Sequence, residues 1–447
     1  MAYSYLTFTS AVSILAGRLQ DPSQVYWNQP NQLLNCIIEA VRLYQALTWS
    51  YKQSLTFTTT ANQNYYALGS FGGSPLADVV TDVEVANNVL AALLEPPLPN
   101  TGTWSGTGQF TFSQLQQSMQ NRLNRFIGES GRNTTQQLLT GISPLTELVT
   151  LPDAVLDVRR VGYTTSGSAP YVTYPMGRMD EWAEQAYIPA AQANPGTPLA
   201  YSVYGTGPLQ LRLIPPTFSG ISLDCLFVNS GPTLNLSVAS PVVLGIPDDV
   251  SAAIKWGVLA DLLASDGPSR DYARAAYAEQ RYNEYVQLAH LYPSVLTAAI
   301  NSVTCGLGSV FDLDFYQPDW QLGTGVPGFV GLCGRSLVCV GQTPDDGTAG
   351  GNPGSNYSVS LWTAANMPVS GYIQIGRDGL DPVLDYAQHI ACFQMGGAEF
   401  DGTERMFQNL ITAAKKENAR LEAVGFYKSQ LDQPSRKGEM QTARMVE

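Results

Sequence analysis

Between residues 247 and 290 two helical stripes follow one another, and this pair restricts the fold more than any other feature of the sequence. In IPDDVSAAIKWGVLADLL, Val250, Ile254, Val258 and Leu262 recur every four positions, one face of a helix that Asp248, after Pro247, is placed to cap. SDGPSRD breaks the run, and YARAAYAEQRYNEYVQLA then sets Ala275, Ala278, Tyr282, Tyr285 and Leu288 on one face. Two apolar stripes joined by so short a break bury each other, so an antiparallel α-hairpin is expected. The order of strand, Pro/Asp-rich approach, helix, Gly/Asp break and polar helix returns about 132 residues later, where YIQIGRDGLDPVLDYAQHIACFQ breaks at MGGAEFDGTE and resumes as RMFQNLITAAKKENARLEA. The pattern is either a weak internal repeat or two ordinary hairpins.

Around these hairpins the texture alternates. Val12, Leu15, Ala16 and Leu19 mark a first helix stopped by Asp21-Pro22. From Pro30 a second helix places Leu33, Leu34, Ile37, Ile38, Val41, Tyr44 and Leu47 on one face. SLTFTTTANQNYYAL reads as a β-hairpin turning at Ala61-Asn62. Leu115, Met119, Leu123 and Phe126 give another amphipathic helix after Ser113. Four β-rich pieces, LPDAVLDVRRVGY, PLAYSVYGTG, PLQLRLIPP and SLDCLFV, have the spacing of an antiparallel sheet or sandwich. YPMGRMDEWAEQAY interrupts them as a short helix through Met179, Trp182, Ala183 and Ala186. Residues 301–370 are again Gly-rich and strand-like, with a polar loop, TPDDGTAGGNPGSN. The fold expected is α+β: N-terminal helices and a returning α-hairpin around a β-rich insertion, then a second β-rich module with a second α-hairpin and a flexible C-terminal tail. The boundaries fall at 1–149, 150–246, 247–300, 301–377, 378–427 and 428–447.

Charged residues make up only 14% of the 447, against about 25% in ordinary globular chains, while 44% are hydrophobic. Such a chain folds, and uncharged polar groups and tyrosine solvate much of its surface. The net charge of −13 argues against sequence-specific reading of nucleic acid, which needs clustered Lys and Arg. No apolar run is long enough for a membrane span, and the start, MAYSYLTFTSAVSILAGRLQ, lacks the basic region of a signal peptide, so a soluble protein made in the cytoplasm is expected. Cys36, Cys225, Cys305, Cys333, Cys339 and Cys392 form no CxxC and read as reduced, mostly buried thiols.

Enzymatic signatures are nearly absent. The sequence holds no phosphate loop, no HExxH and no GxSxG, and no cofactor is implied. Its two histidines, His290 and His389, offer little material for general acid/base work. His389 and Cys392, three apart on a helix, have the spacing of a thiolate pair, but apolar neighbours favour a packed core histidine. Asp312, Asp314 and Asp319 in FDLDFYQPDW are candidate oxygen ligands for a hard cation, although without a calcium-loop glycine and distal Glu solvated carboxylates are the better reading.

The layout of a leading helix pair ending in LNCIIEAVRLYQALTWSY, a β-rich insertion introduced by LPDAVLDVRRV, and the return hairpin IPDDVSAAIKWGVLADLLASDGPSRDYARAAYAEQRYNEYVQLA resembles tailed-phage head-to-tail adaptors over about residues 1–300. The resemblance implies a structural virion protein of the neck or tail, assembled in the host cytoplasm. It also implies a homo-oligomeric ring, twelvefold in the family, between the portal protein and a tail or nozzle protein, through which genomic DNA passes. It implies no catalysis, no membrane and no cofactor. Residues 301–447 exceed the usual adaptor, and their hairpin implies a duplicated or an additional ring-building domain. The alternative is a tail fibre, baseplate or other β-rich virion binding component, which would show long repeats or a trimeric coiled coil. A third class, a hydrolase, would need a carboxylate or Cys/His constellation in a cleft.

Charge is segregated at the end of the chain. Residues 413–447 hold seven Lys and Arg against five Asp and Glu, a net of +2, whereas residues 1–412 hold 17 basic and 32 acidic side chains, a net of −15. Pro434, Ser435 and Gly438 forbid a continuing helix, and Arg436, Lys437 and Arg444 are the candidate contacts to an acidic portal or neighbour. Deleting residues 430–447 is expected to leave the melting temperature intact and abolish portal association in a pull-down. Charge reversal at Arg436, Lys437 and Arg444 should give a partial, salt-sensitive version. Unchanged portal binding by the deletion variant would remove the tail from the mechanism.

Overall fold

The computed structural model describes residues 5–29, 31–48, 50–58, 65–67, 79–100, 104–107, 109–164, 173–180, 182–183, 194–205, 208–267, 270–290, 295–298, 328–329, 337–340 and 358–423. The architecture is mixed α+β. Helix α1 spans Phe8–Arg18, α2 Gln32–Thr48, α3 Asp82–Ala92 and α4 Phe112–Ser130. The hairpin comprises α5, Ala252–Ala264, and α6, Tyr272–His290. The later helices are α7, Arg377–Cys392, the short α8, Gly397–Asp401, and α9, Glu404–Ala423. Side chains from the N-terminal helices, the hairpin and the later helices lie in one hydrophobic core. The second hairpin, expected to be a separate unit, packs on α2 within it.

The stripes that define the helices are buried. Leu115, Met119, Leu123 and Phe126 of α4 are in the core, and the helix begins in a capping box between Thr111 and Gln114. Val250, Ile254, Val258 and Leu262 face inward, as do Ala275, Ala278, Tyr282, Tyr285 and Leu288. The opposite side of α5 is buried too, because α2 and α3 cover it: Lys255 and Trp256 are in the interior. Gly257 lets α4 and α6 come close to α5 elsewhere on the helix, since a Cβ there would sit 2.7 Å from Arg122 Cδ and 2.9 Å from Tyr282 Cδ2. Asp248 does not cap α5; its carboxylate accepts from the backbone N–H groups of Val79 and Val80, at 2.9 and 3.1 Å, and so ties the approach to α3 onto the approach to α5.

Strands β1, Lys52–Thr58, and β2, Tyr65–Ala67, both form, but not as the hairpin expected. The turn residues Ala61 and Asn62 lie outside the described residues. Alternation marks a strand without marking its partner. β1 pairs antiparallel with a strand far along the chain at Ser358–Ala364, and β2 pairs with Leu337–Val340.

Between α4 and α5 stands a β-sandwich. Its strands are β3, Thr134–Ile142, β4, Leu148–Thr150, β5, Val155–Thr164, β6, Thr173–Pro175, β7, Gly177–Arg178, β8, Ala200–Tyr204, β9, Gln210–Ile214, and β10, Ile221–Asn229. One sheet has the order β3-β10-β5-β6 and the other β4-β9-β8-β7. Ile221, Leu223, Cys225 and Phe227 of β10 point at period two into the sandwich core, while Val228 turns to the helical core. The β-rich stretch thus starts at Thr134, because β3 follows α4 almost directly. At YPMGRMDEWAEQAY, Gly177 and Arg178 form strand β7, paired with β8. The short helix expected there is described only at Trp182 and Ala183, which are helical with Trp182 83% exposed, Ala186 lying outside the described residues. Later strands are β11, Val295–Ala298, β12, Gly328–Phe329, β13, Leu337–Val340, and β14, Ser358–Ala364.

With both sides of α5 buried, substitutions on either side should destabilise. Leu262→Ala is expected to cost about 2–5 kcal/mol through lost transfer energy and a cavity. Lys255→Met leaves the Glu39 carboxylate buried without its cation and should cost about 3–5 kcal/mol. Urea denaturation followed by circular dichroism measures both, and a Lys255→Met protein as stable as wild type would show that this side of α5 is not tightly closed.

Candidate interaction surfaces

Among the described residues, the positions singled out in the sequence form no catalytic constellation. His389 is buried on α7, where Nε2 lies 2.7 Å from Tyr277 Oη and Nδ1 lies 2.8 Å from Thr403 Oγ1. Its ring stacks on Phe400, with centroids 4.6 Å apart. Burial, and then the nearby Arg281 guanidinium, push the His389 pKa down to about 4. Cys392 is buried and its thiol is pushed up by desolvation, so the pair makes neither an imidazolium nor a thiolate. The core reading of His389 is the one the geometry supports. His290 closes α6 and is exposed. Asp312, Asp314 and Asp319 lie outside the described residues, as do Arg436, Lys437 and Arg444. Among the described residues no group of His, Cys, Asp or Glu is arranged to hold a metal ion, and no helix is long and apolar enough to cross a membrane. Cys36, Cys225 and Cys392 are free and buried.

The polar chemistry of the interior serves instead to join helices. Glu39 of α2 accepts from Lys255 Nζ at 2.6 Å and from Trp256 Nε1 at 2.8 Å. Arg42, one turn on, pairs with Glu84 of α3 at 3.0 Å. Arg122 of α4 reaches Asp261 of α5 and Glu279 of α6, and lies over the Tyr282 ring. An aromatic cluster of Trp256, Tyr277, Phe393 and Phe400 joins α5 and α6 to α7 and α8. The Arg281 guanidinium rests 3.7 Å from the centre of the Phe407 ring, extending the contact to α9.

The outer surface carries a different signal at the end of the sandwich remote from α4. The β3–β4 connection and the β9–β10 connection meet there through the Leu145 N–H and the Thr217 carbonyl, 2.6 Å apart, next to the cis Ile214-Pro215 bond. The segment before β8 joins them through the Leu199 N–H and the Ile214 carbonyl. Leu145 is 66% exposed, Leu199 65% and Phe218 63%, and Leu148 is also open to solvent. Scattered apolar side chains on a surface are ordinary, whereas here four are gathered on one tip. Alternation in the sequence located β5, β8, β9 and β10 and not this tip, because Leu145, Leu199 and Phe218 fall in the connections between strands.

Residues 84–299 match the model of the SU10 adaptor protein family, in agreement with the resemblance to phage head-to-tail adaptors. No curated protein matches the chain. The matched stretch runs from α3 through α4, the sandwich and the α5–α6 hairpin to β11. It begins well inside the region over which the sequence layout resembled adaptors. The family is one of phage structural adaptors, which places such proteins in the virion neck, in contact with portal and tail components.

The buried imidazole has a measurable consequence. The unfolded chain protonates His389 near 6.5 and the folded chain near 4, so the folded state lacks that proton between the two values. Stability from this group is complete above pH 6.5 and is lost as the pH falls toward 4, about 3 kcal/mol in all. His389→Gln should therefore flatten the decline of unfolding free energy between pH 7 and pH 4.5. Equal slopes for variant and wild type would contradict the neutral, buried imidazole.

Proposed function

We propose that this chain is a ring-forming head-to-tail adaptor that joins the phage portal to the tail and encloses the channel through which DNA leaves. The observation that carries the reading is the adaptor-family match over a contiguous α3–α4, sandwich and α-hairpin unit, whose sandwich presents an apolar tip to solvent. A ring subunit needs rigid helices to pack against its neighbours and a projecting module to meet the next ring. The shared helical core supplies the first and the sandwich the second. A chain of net charge −13 would line a DNA channel without holding DNA. The tail with Arg436, Lys437 and Arg444 is the arm that reaches an acidic surface of the portal or of a neighbour, and the tip with Leu145, Leu199 and Phe218 meets the tail or nozzle protein. Twelve copies, the family's ring size, is the stoichiometry proposed.

The decisive experiment is native mass measurement with negative-stain imaging, with and without portal: rings support the adaptor, and trimers would support a fibre. For the tip, Leu145→Ser with Phe218→Ser removes exposed apolar area only, so unfolding free energy should stay within about 0.5 kcal/mol per site. Attachment of tails to DNA-filled heads should drop at least tenfold in an in vitro joining assay. Full joining by this variant would move the contact away from the tip.

A further inference from the structure

Two parts of the chain are built on one plan. Helices α1 and α3 are each 11 residues long and start at a threonine, Thr7 or Thr81, whose side chain accepts the N–H of Ser10 or Glu84. Each ends in a residue with positive φ, Gln20 at 57° and Leu94 at 60°. The next N–H groups, of Asp21 and Glu95, close on Ala16 and Leu90 carbonyls at 2.9 and 2.8 Å. Both acids are buried, and both hold the following loop: Asp21 through the N–H groups of Val25 and Tyr26, and Glu95 through that of Thr107.

The correspondence continues. At the ends of α2 and α4 the hydroxyls of Thr48 and Ser130 donate to the carbonyls of Tyr44 and Phe126. The strand that follows each helix pairs antiparallel with the last strand before a hairpin, Lys52 opposite Ala364 and Thr134 opposite Val228. Just beyond, Ala365 N–H meets Tyr51 O, and Asn229 N–H meets Asn133 O, both at 3.1 Å. The approaches to α7 and α5 bond alike to the starts of α1 and α3, through Ile373 to Leu6 and Leu244 to Val80. In α6 and α9 the buried positions Ala275, Ala278 and Tyr282 correspond at one constant shift to Phe407, Leu410 and Ala414. An inner unit, residues 79–290, thus sits within an outer unit made of residues 5–58 and 358–423, and the family match falls on the inner one.

Within the chain the two units meet head to tail. The outer unit contributes α2 and the α7–α9 side, and the inner unit contributes α3, α5 and α6. Asn35 and Glu39 of α2 face Asn88 of α3 across a narrow gap also lined by Lys255. A twofold pair would bring α4 onto α1 and α7; α4 packs instead on α5, α6 and β10. Among the described residues each unit therefore keeps one face unused. On the inner unit Gln117 and Asn121 of α4 stand where α2 has Asn35 and Glu39, and both are exposed. On the outer unit Ile14 of α1 stands where α3 has Asn88 and Asn409 of α9 where α6 has Tyr277; Ile14 is 40% exposed and Asn409 is exposed. Ser10, Ser13 and Gly17 around Ile14 are small and exposed, which leaves room for an approaching helix.

We propose that the α4 face around Gln117 and Asn121 of one chain docks on the α1 and α9 face around Ile14 and Asn409 of a second copy, so that the contact made once inside each chain is repeated between chains. The proposal rests on the ring reading and specifies the surfaces that would close such a ring. Amide side chains against small and apolar ones bring no like charges together, and Arg18 at the edge is already engaged by Asp381 and Asp385.

The test is disulfide trapping in the full-length double variant Ile14→Cys, Gln117→Cys, oxidised alone and on purified portal, with each single variant and the wild type as controls. Both sites are exposed, so melting temperatures should match wild type, and the described native cysteines are buried. The expected result is a non-reducing ladder at multiples of 48.3 kDa from the double variant only, and a single dimer band when the two single variants are mixed. Rings by native mass without any ladder would overturn this interface while leaving the ring reading in place. A disulfide closed within one chain would overturn it too, since the faces would then meet internally. Monomers throughout, with no ring on portal, would overturn the ring reading along with it.

Discussion

Glu39 is the constraint around which the helices are arranged. It sits in the middle of α2, which is buried on nearly every side, and its carboxylate is shared between Lys255 and the Trp256 indole. A buried ion pair adds little net stability, since desolvation of both charges offsets most of their attraction. What it does is fix position. A leucine in place of Glu39 would pack at several rotations of α2 against α5, whereas two directed bonds permit one. The other helices of both units then pack around that pair, and Arg42 with Glu84 holds α3 in the same frame.

Much of the helical architecture was legible in the sequence because helices report themselves locally. The stripes of α4, α5 and α6 named residues that prove to be buried, and the stripe of α2 did so except at Leu34 and Leu47, which are half-buried. What stayed hidden depends on distant partners. Asp248 has the sequence context of a cap, and only the fold shows that Val79 and Val80 reach it first. Lys255 looks like the solvent side of a helix until Glu39 arrives from more than 200 residues away. β1 and β2 look like one hairpin because period-two alternation is blind to pairing, and in fact each takes a strand from the far end of the chain. The sandwich tip was illegible for a related reason: Leu145, Leu199 and Phe218 are separate in sequence and carry no common pattern. The two-unit plan left only a faint trace, the similar approaches to α5 and α7. The hydrogen bonds that repeat are mostly made by the backbone, which many sequences can supply.

The interior also explains why His389, Tyr277 and Cys392 are withdrawn from chemistry. They are spent on packing between α6, α7 and α8, where burial holds each in its neutral form. A surface sparing in charge and rich in amides and hydroxyls complements this, since extended subunit contacts tolerate such groups with little desolvation cost.

The nesting of one unit inside the other sets an order of events during synthesis. The inner unit is contiguous, so all its helices and strands are present once residue 290 has been made. The outer unit is not: Thr58 of β1 faces Ser358 of β14, and α2 waits for α7 and α9. Contacts between such distant segments are slow to form from an open chain, because loop closure must precede any gain from pairing. Prior folding of the inner unit replaces most of the intervening chain with a compact body, and the closure that remains is correspondingly shorter. Until then α2 presents its apolar stripe with a carboxylate in its centre and Arg42 one turn on. That carboxylate keeps the nascent helix partly hydrated and finds its cation only when Lys255 has emerged.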